Sequence, residues 1–172
     1  MAEPVIISSD SHIVEPPDLY LNGMPSKLLD RAPQIRRYKT EDGKDSDAWF
    51  IGDMQIATLG AVTQAGKRFE DTSQLDFVST WEDVRRGAYD PHAMITELEM
   101  DGIWGAVLQP SQGLFWYHLE DSELLSGICY AYNNWIADFC TTYPGRFRGI
   151  GMINVDDPTE ASVELKRCAK LG

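Results

Sequence analysis

Cysteine and histidine are both scarce, with three of each in 172 residues, and basic residues are outnumbered, 15 Lys and Arg against 27 Asp and Glu. Cys129, Cys140 and Cys168 form no Cys-x-x-Cys pair, and their odd number excludes a disulfide scaffold; they read as buried core thiols in a reducing, cytoplasmic setting. The net charge of −12 repels phosphate backbones, so nucleic acid is excluded as a partner. No apolar run approaches the roughly 18 residues of a membrane span, and residues 1–20 lack the basic start of a secretory signal. There is no G-x-G-x-x-G, no P-loop and no G-x-S-x-G elbow, which removes nucleotide-binding and serine-hydrolase chemistry.

What is present is an alternation of strand and helix signals. Residues 4–12 read as a first strand, with the unbroken apolar run Val5-Ile6-Ile7 expected in a parallel strand covered on both faces. Pro16-Pro17 end it. Residues 21–89 read as one long excursion rather than a separate domain. Its charged stretch, from Arg36 to Asp47, reads as solvated, and "AWFIGDMQIATL" (48–59) reads as a hairpin turning at Gly52-Asp53. Trp49 and Phe50 on that hairpin suit either a lid or a subunit contact.

Asp90-Pro91 opens a helix that Gly102 closes. A strand over 103–111 follows, then a helix over 122–142 with Leu125, Ile128, Tyr132, Trp135, Ile136 and Phe139 on one face. Residues 147–157 read as a third strand. Asp157-Pro158 starts a last helix whose buried face is expected to carry Ala161, Leu165, Cys168 and Ala169. Strictly alternating units imply α/β architecture with a parallel sheet. Three strands are few for such a sheet, so residues 1–172 are expected to be the front portion of a larger α/β domain.

The chemistry concentrates in "SSDSHIVEPPDLY" (8–20). Residues two apart on a strand point the same way, so Asp10 and His12 can converge at the strand's carboxyl end. A carboxylate oxygen and a neutral imidazole nitrogen together suit Zn²⁺, Mn²⁺ or Fe²⁺. The plainer alternative is a capping Asp with an unrelated His. A second candidate is "GLFWYH" (113–118) in the loop after the second strand. Trp116 and Tyr117 read either as walls for a substrate ring or as a plug in the core, and His118 as a group that binds a carboxylate or moves a proton. Asn154 and Asp156 end the third strand and are placed to face the same pocket, though Asp156 and Asp157 also suit turn and cap roles. His92, near a helix start, reads as solvent-facing.

"DSHIVEPPDLY", "YDPHAMITELEMDGIWGAVLQPS" (89–111), "GLFWY", "YAYNNWIADFCTTYPGRF" (130–147) and "NVDDPTEASVELKRCAKLG" (154–172) together resemble the amidohydrolase-related metal-dependent hydrolases. The resemblance is to the branch of amino-carboxymuconate-semialdehyde decarboxylase, and it covers most of residues 4–20 and 89–172. It implies the N-terminal portion of a (β/α)₈ barrel with a hairpin-containing insertion at about 21–89. It implies a mononuclear divalent metal, zinc first with manganese or iron as alternatives, held in part by Asp10-x-His12. The family's later ligands are expected beyond position 172, since such a barrel needs roughly 250 residues. The activity implied is that of a hydrolase or a lyase: hydrolysis, or non-oxidative decarboxylation, of a small cyclic or aromatic carboxylate by a homo-oligomer, a dimer. The alternative is a catalytically inactive barrel fragment that packs on a partner or on another copy.

Overall fold

The computed structural model describes residues 5–172. Strand β1 (Ile7–Ile13) leads into a short helix α1 (Leu19–Gly23). An antiparallel sheet follows, built from β2 (Gln34–Lys39), β3 (Asp45–Ile51) and β4 (Met54–Thr58) in that order. After a series of short 3₁₀ turns come α2 (Pro91–Met100), β5 (Gly105–Pro110), α3 (Ser122–Thr141), β6 (Phe147–Gly149) and α4 (Pro158–Leu171). Strands β1, β5 and β6 form a parallel sheet in the order β1-β5-β6. The chain is thus α/β with parallel βα units and an antiparallel insertion, as the alternation of signals implies.

The helix punctuation acts as expected. Asp90 accepts from the amides of His92 and Ala93, and Asp157 from those of Thr159 and Glu160, each with proline in the first turn. The hairpin turns at Gly52, whose φ of +54° is a left-handed conformation that costs glycine least.

Four expectations need correction. The run Val5-Ile6-Ile7 is not covered: its residues are 66, 51 and 57% exposed, because among the described residues β1 pairs only with β5. Burial begins at Ile13 and Val14, past Asp10 and His12. The charged stretch 36–47 is not free loop. It includes most of β2 and the start of β3, and Arg37 sits opposite Asp47 with two hydrogen bonds of 3.0 Å to its carboxylate. The charges satisfy one another across the ladder, so polarity does not prevent pairing.

The third strand stops at Gly149 rather than running to 157. Beyond it, side chains replace the ladder. Asn133 on α3 both accepts from Met152 N (2.7 Å) and donates to Met152 O (2.8 Å), and the Tyr117 hydroxyl takes the amide and carbonyl of Ile153. Finally, Leu165 on α4 is 60% exposed, and the face turned inward carries Ala161, Glu164, Arg167 and Cys168 instead. The expected face of α3 is buried, with Trp135 at its margin.

The core that fixes the insertion onto the parallel sheet is aromatic. Tyr20, Trp49 and Trp116 are all fully buried and meet edge to face, with ring centroids 5.4–5.8 Å apart. Trp49 is therefore a core residue, and the hairpin that carries it is anchored rather than a lid. Cys129 and Cys140 are buried and Cys168 half-buried, all as free thiols.

Candidate functional site

The carboxyl end of β1 brings Asp10 and His12 together. Asp10 Oδ1 lies 3.6 Å from His12 Nε2. The register against β5 slips between Ser8 and Ser11, so a bulge holds Asp10. Bulges of this kind re-aim side chains next to sites. Gln109 on β5 donates to Asp10 Oδ1 at 2.9 Å and fixes the carboxylate.

His12 Nδ1 is 3.0 Å from the carbonyl oxygen of Pro110. A carbonyl only accepts, so Nδ1 carries the hydrogen, and the neutral ring presents its lone pair at Nε2. Nε2 then faces a carboxylate oxygen with a lone pair of its own. Both side chains are exposed, so a water or a cation fits between the two acceptors. Neighbouring donors on one tetrahedral Zn²⁺, at about 2.1 Å each, are roughly 3.4 Å apart, near the separation seen. The donor types and the carbonyl that locks the ring both suit a divalent metal. Among the described residues no third His, Cys, Asp or Glu joins the pair, so they offer two candidate ligands and not a complete set.

Beside His12 lies an open hollow of about 600 Å³. The loop after β5 contributes Ser111, Leu114 and Phe115, and the insertion contributes Val62, Lys67 and Phe69. The insertion wall is pinned from behind: Gln64 Nε2 donates to Asp76 O at 2.7 Å, and the hydroxyls of Thr63 and Ser79 are 2.7 Å apart.

"GLFWYH" thus divides between the two expected roles. It coils as a 3₁₀ turn over Gln112–His118, which sends neighbouring side chains to different sides. Leu114 and Phe115 reach the hollow, whereas Trp116 is fully buried and donates through Nε1 to the Tyr20 hydroxyl at 2.7 Å. The expectation that Trp116 walls a substrate pocket is corrected: its ring is core. Tyr117 is 42% exposed, but its hydroxyl is spent on Ile153, and neither it nor exposed His118 borders the hollow. Asn154 is likewise turned elsewhere, donating to Ser122 and Ser126 at the start of α3. His92 pairs with the Tyr143 hydroxyl at 2.9 Å, outside any site. A hollow of about 710 Å³ between α3 and α4 contains none of the β1 residues, and Asn154 already satisfies Ser122 and Ser126 within it.

One residue beneath the pair has no counterpart in the sequence reading. Glu15 is fully buried, accepts from the amides of Gln112 (3.0 Å) and Gly113 (2.8 Å), and ties the exit of β1 to the loop after β5. Burial raises its pKa from 4.5 to about 7, against the pull of those amides. Its signal in the sequence is a lone acid three residues past His12, between Val14 and Pro16.

The architecture is an α/β fold with a parallel sheet and a polar pair at a strand's carboxyl end, the position where such folds place their sites. No family model matches the chain. Among solved structures it is similar to an amidohydrolase from Mycobacterium avium subsp. paratuberculosis K-10, at a TM-score of 0.68 and 17% identity. The match covers 100% of this chain and 48% of that one, so the chain spans about half the length of its structural neighbour. The shared feature is the fold. No helix among the described residues is long and apolar enough to cross a membrane.

Proposed function

We propose that the chain is the front portion of a (β/α)₈ barrel of the amidohydrolase type, in the decarboxylase-like branch, that binds one divalent metal. The activity is hydrolysis or non-oxidative decarboxylation of a small cyclic or aromatic carboxylate, in a cytoplasmic homodimer. The observation that carries the reading is the convergence of Asp10 Oδ1 and His12 Nε2, with Nδ1 held by Pro110 O. The fold shared with an amidohydrolase supports it.

Asp10 and His12 would hold the metal, zinc before manganese or iron. When bound, a metal in such a site supplies Lewis acidity toward a substrate oxygen or a water. The chain's own residues do the rest. Gln109 orients the Asp10 carboxylate, the Pro110 carbonyl sets the His12 tautomer, and Phe115 with the insertion wall offers an apolar bed beside them. Tyr117 and His118 keep a substrate role only if a longer substrate extends past Phe115.

A second reading has its own support. Val5, Ile6, Ile7, Ile150 and Val155 are exposed, and the outer edges of β1 and β6 are unpaired among the described residues. A non-catalytic unit that packs these surfaces on a partner, or on another copy, fits that pattern.

Zinc titration by calorimetry on the wild-type chain and on His12→Ala and Asp10→Asn tests the metal reading. Zinc binding that is lost in His12→Ala and weakened in Asp10→Asn is the expected result. Equal stoichiometry and affinity in all three would refute the site.

A further inference from the structure

We propose that Lys67, on the insertion, is the residue that reads the substrate's carboxylate, so that the hollow beside His12 selects a flat, apolar monoanion. This deepens the hydrolase-or-decarboxylase reading and rests on it.

The hollow is lined mainly by apolar side chains, with Phe69, Phe115, Leu114 and Val62 among them. Lys67 is the single Lys or Arg among its described lining residues. In a chain with 27 acids and 15 bases most cations have partners close by, yet among the described residues no carboxylate lies within ion-pair distance of Lys67. Lys67 is partly buried. An unpaired cationic residue lining a mainly apolar hollow favours an anion that brings its own hydrophobic body. One cation suits a carboxylate; a phosphate dianion calls for several cationic side chains or a glycine-rich cradle, whereas the described lining has one Lys, no Arg and one glycine, Gly66. The hollow's volume of about 600 Å³ is in the range of small-molecule sites.

The geometry also orders the ligand. Lys67 stands on the insertion wall and His12 on the sheet wall of the same hollow. A carboxylate held by Lys67 leaves the far end of the ring toward His12. The wall is preorganised, because Gln64 and Thr63 tie it to the segment at 76–79.

The test titrates benzoate and its neutral isostere benzamide, without added metal, into the ¹⁵N-labelled chain and follows the amides of Leu114 and Phe115. Wild type is expected to prefer benzoate. Lys67→Gln should lose about tenfold in benzoate affinity and bind the two alike, as removal of one charge-assisted contact implies. Lys67→Arg should keep the preference, and Lys44→Gln, in the exposed β2–β3 turn, should change nothing. No preference in wild type, or an unchanged preference in Lys67→Gln, overturns the assignment. Zinc titration of the same samples separates the two readings. Zinc bound through His12 with no effect of Lys67 defeats this inference alone. A Lys67-dependent preference in a chain that binds no zinc defeats the metal reading and leaves the carboxylate subsite standing.

Discussion

Glu15 receives the backbone amide of Gly113 at 2.8 Å in a fully buried setting, which joins the strand of the candidate ligands to the loop that walls the hollow. Its pKa lies near 7 rather than 4.5, so the folded state holds the proton more tightly than the unfolded one. The stability it contributes is therefore fully present below about pH 4.5 and is lost as pH rises through about 7. The loss amounts to about 3 kcal/mol at most. Carboxylates depressed by arginine, Asp47 and Glu164, act in the opposite sense and lose their contribution as pH falls. Urea melts at several pH values should thus show stability declining from mildly acidic to alkaline pH. Glu15→Gln should flatten that decline, at a cost of about 1–3 kcal/mol for amides left poorly matched. A slope that survives in Glu15→Gln would assign it to another group.

Phe115 and Trp116 are adjacent but face different surroundings, 43% and 0% exposed respectively. Trp116→Ala should cost roughly 3–5 kcal/mol, since it opens a cavity against Tyr20 and Trp49. It also strips the Tyr20 hydroxyl of its donor. Phe115→Ala should cost about 1 kcal/mol or less but weaken benzoate binding severalfold. Thermal melts and titrations on both variants check the division, and similar melting losses in the two would contradict it.

The sequence discloses this division only in part, for physical reasons. Caps, the Gly52 turn and the α3 face are local patterns, so they are legible in the residues themselves. The Asp10–His12 pair is legible because strand alternation puts both side chains at one end. The ladder position of Arg37 is not, since a charged stretch reads as solvated until its partner Asp47 is known to lie across the strand pair. Neither is the hollow: Lys67 reaches the neighbourhood of His12 only after α1 and the three-stranded insertion, through hydrogen bonds of Gln64 and Thr63 that no periodicity announces. An α-helical or strand rule also fails inside a 3₁₀ turn, where Phe115 and Trp116 part company.

Gln109 is the only described side chain that donates to Asp10. Groups that orient a ligating carboxylate typically change metal affinity by about 10–100-fold when removed. Gln109→Ala should therefore weaken zinc binding within that range and leave the melting temperature almost unchanged, because its partner Asp10 is exposed. Gln109→Glu places a like charge beside Asp10 and should weaken folding slightly while raising zinc affinity. Calorimetry with zinc reads both. Wild-type affinity in Gln109→Ala would mean that the bulge alone aims the carboxylate.

Gly113 has no room for a side chain. A Cβ there would lie 2.6 Å from Met152 Sδ, 2.9 Å from Pro110 Cβ and 3.0 Å from Glu15 Oε1. Met152 can swing its sulfur aside, but the Pro110 ring sits at the end of β5 and cannot turn away without moving the strand. Gly113→Ala should cost about 1–3 kcal/mol through overpacking. The same displacement would shift the Pro110 carbonyl that holds His12 Nδ1, so zinc affinity should fall with stability. Met152→Ala removes one of the three obstacles. The double variant should then lose less than the sum of the two single losses, with a coupling of about 0.5–3 kcal/mol. Strict additivity, with zinc binding intact in Gly113→Ala, would show that the loop yields elsewhere and that Pro110 does not transmit the strain to His12.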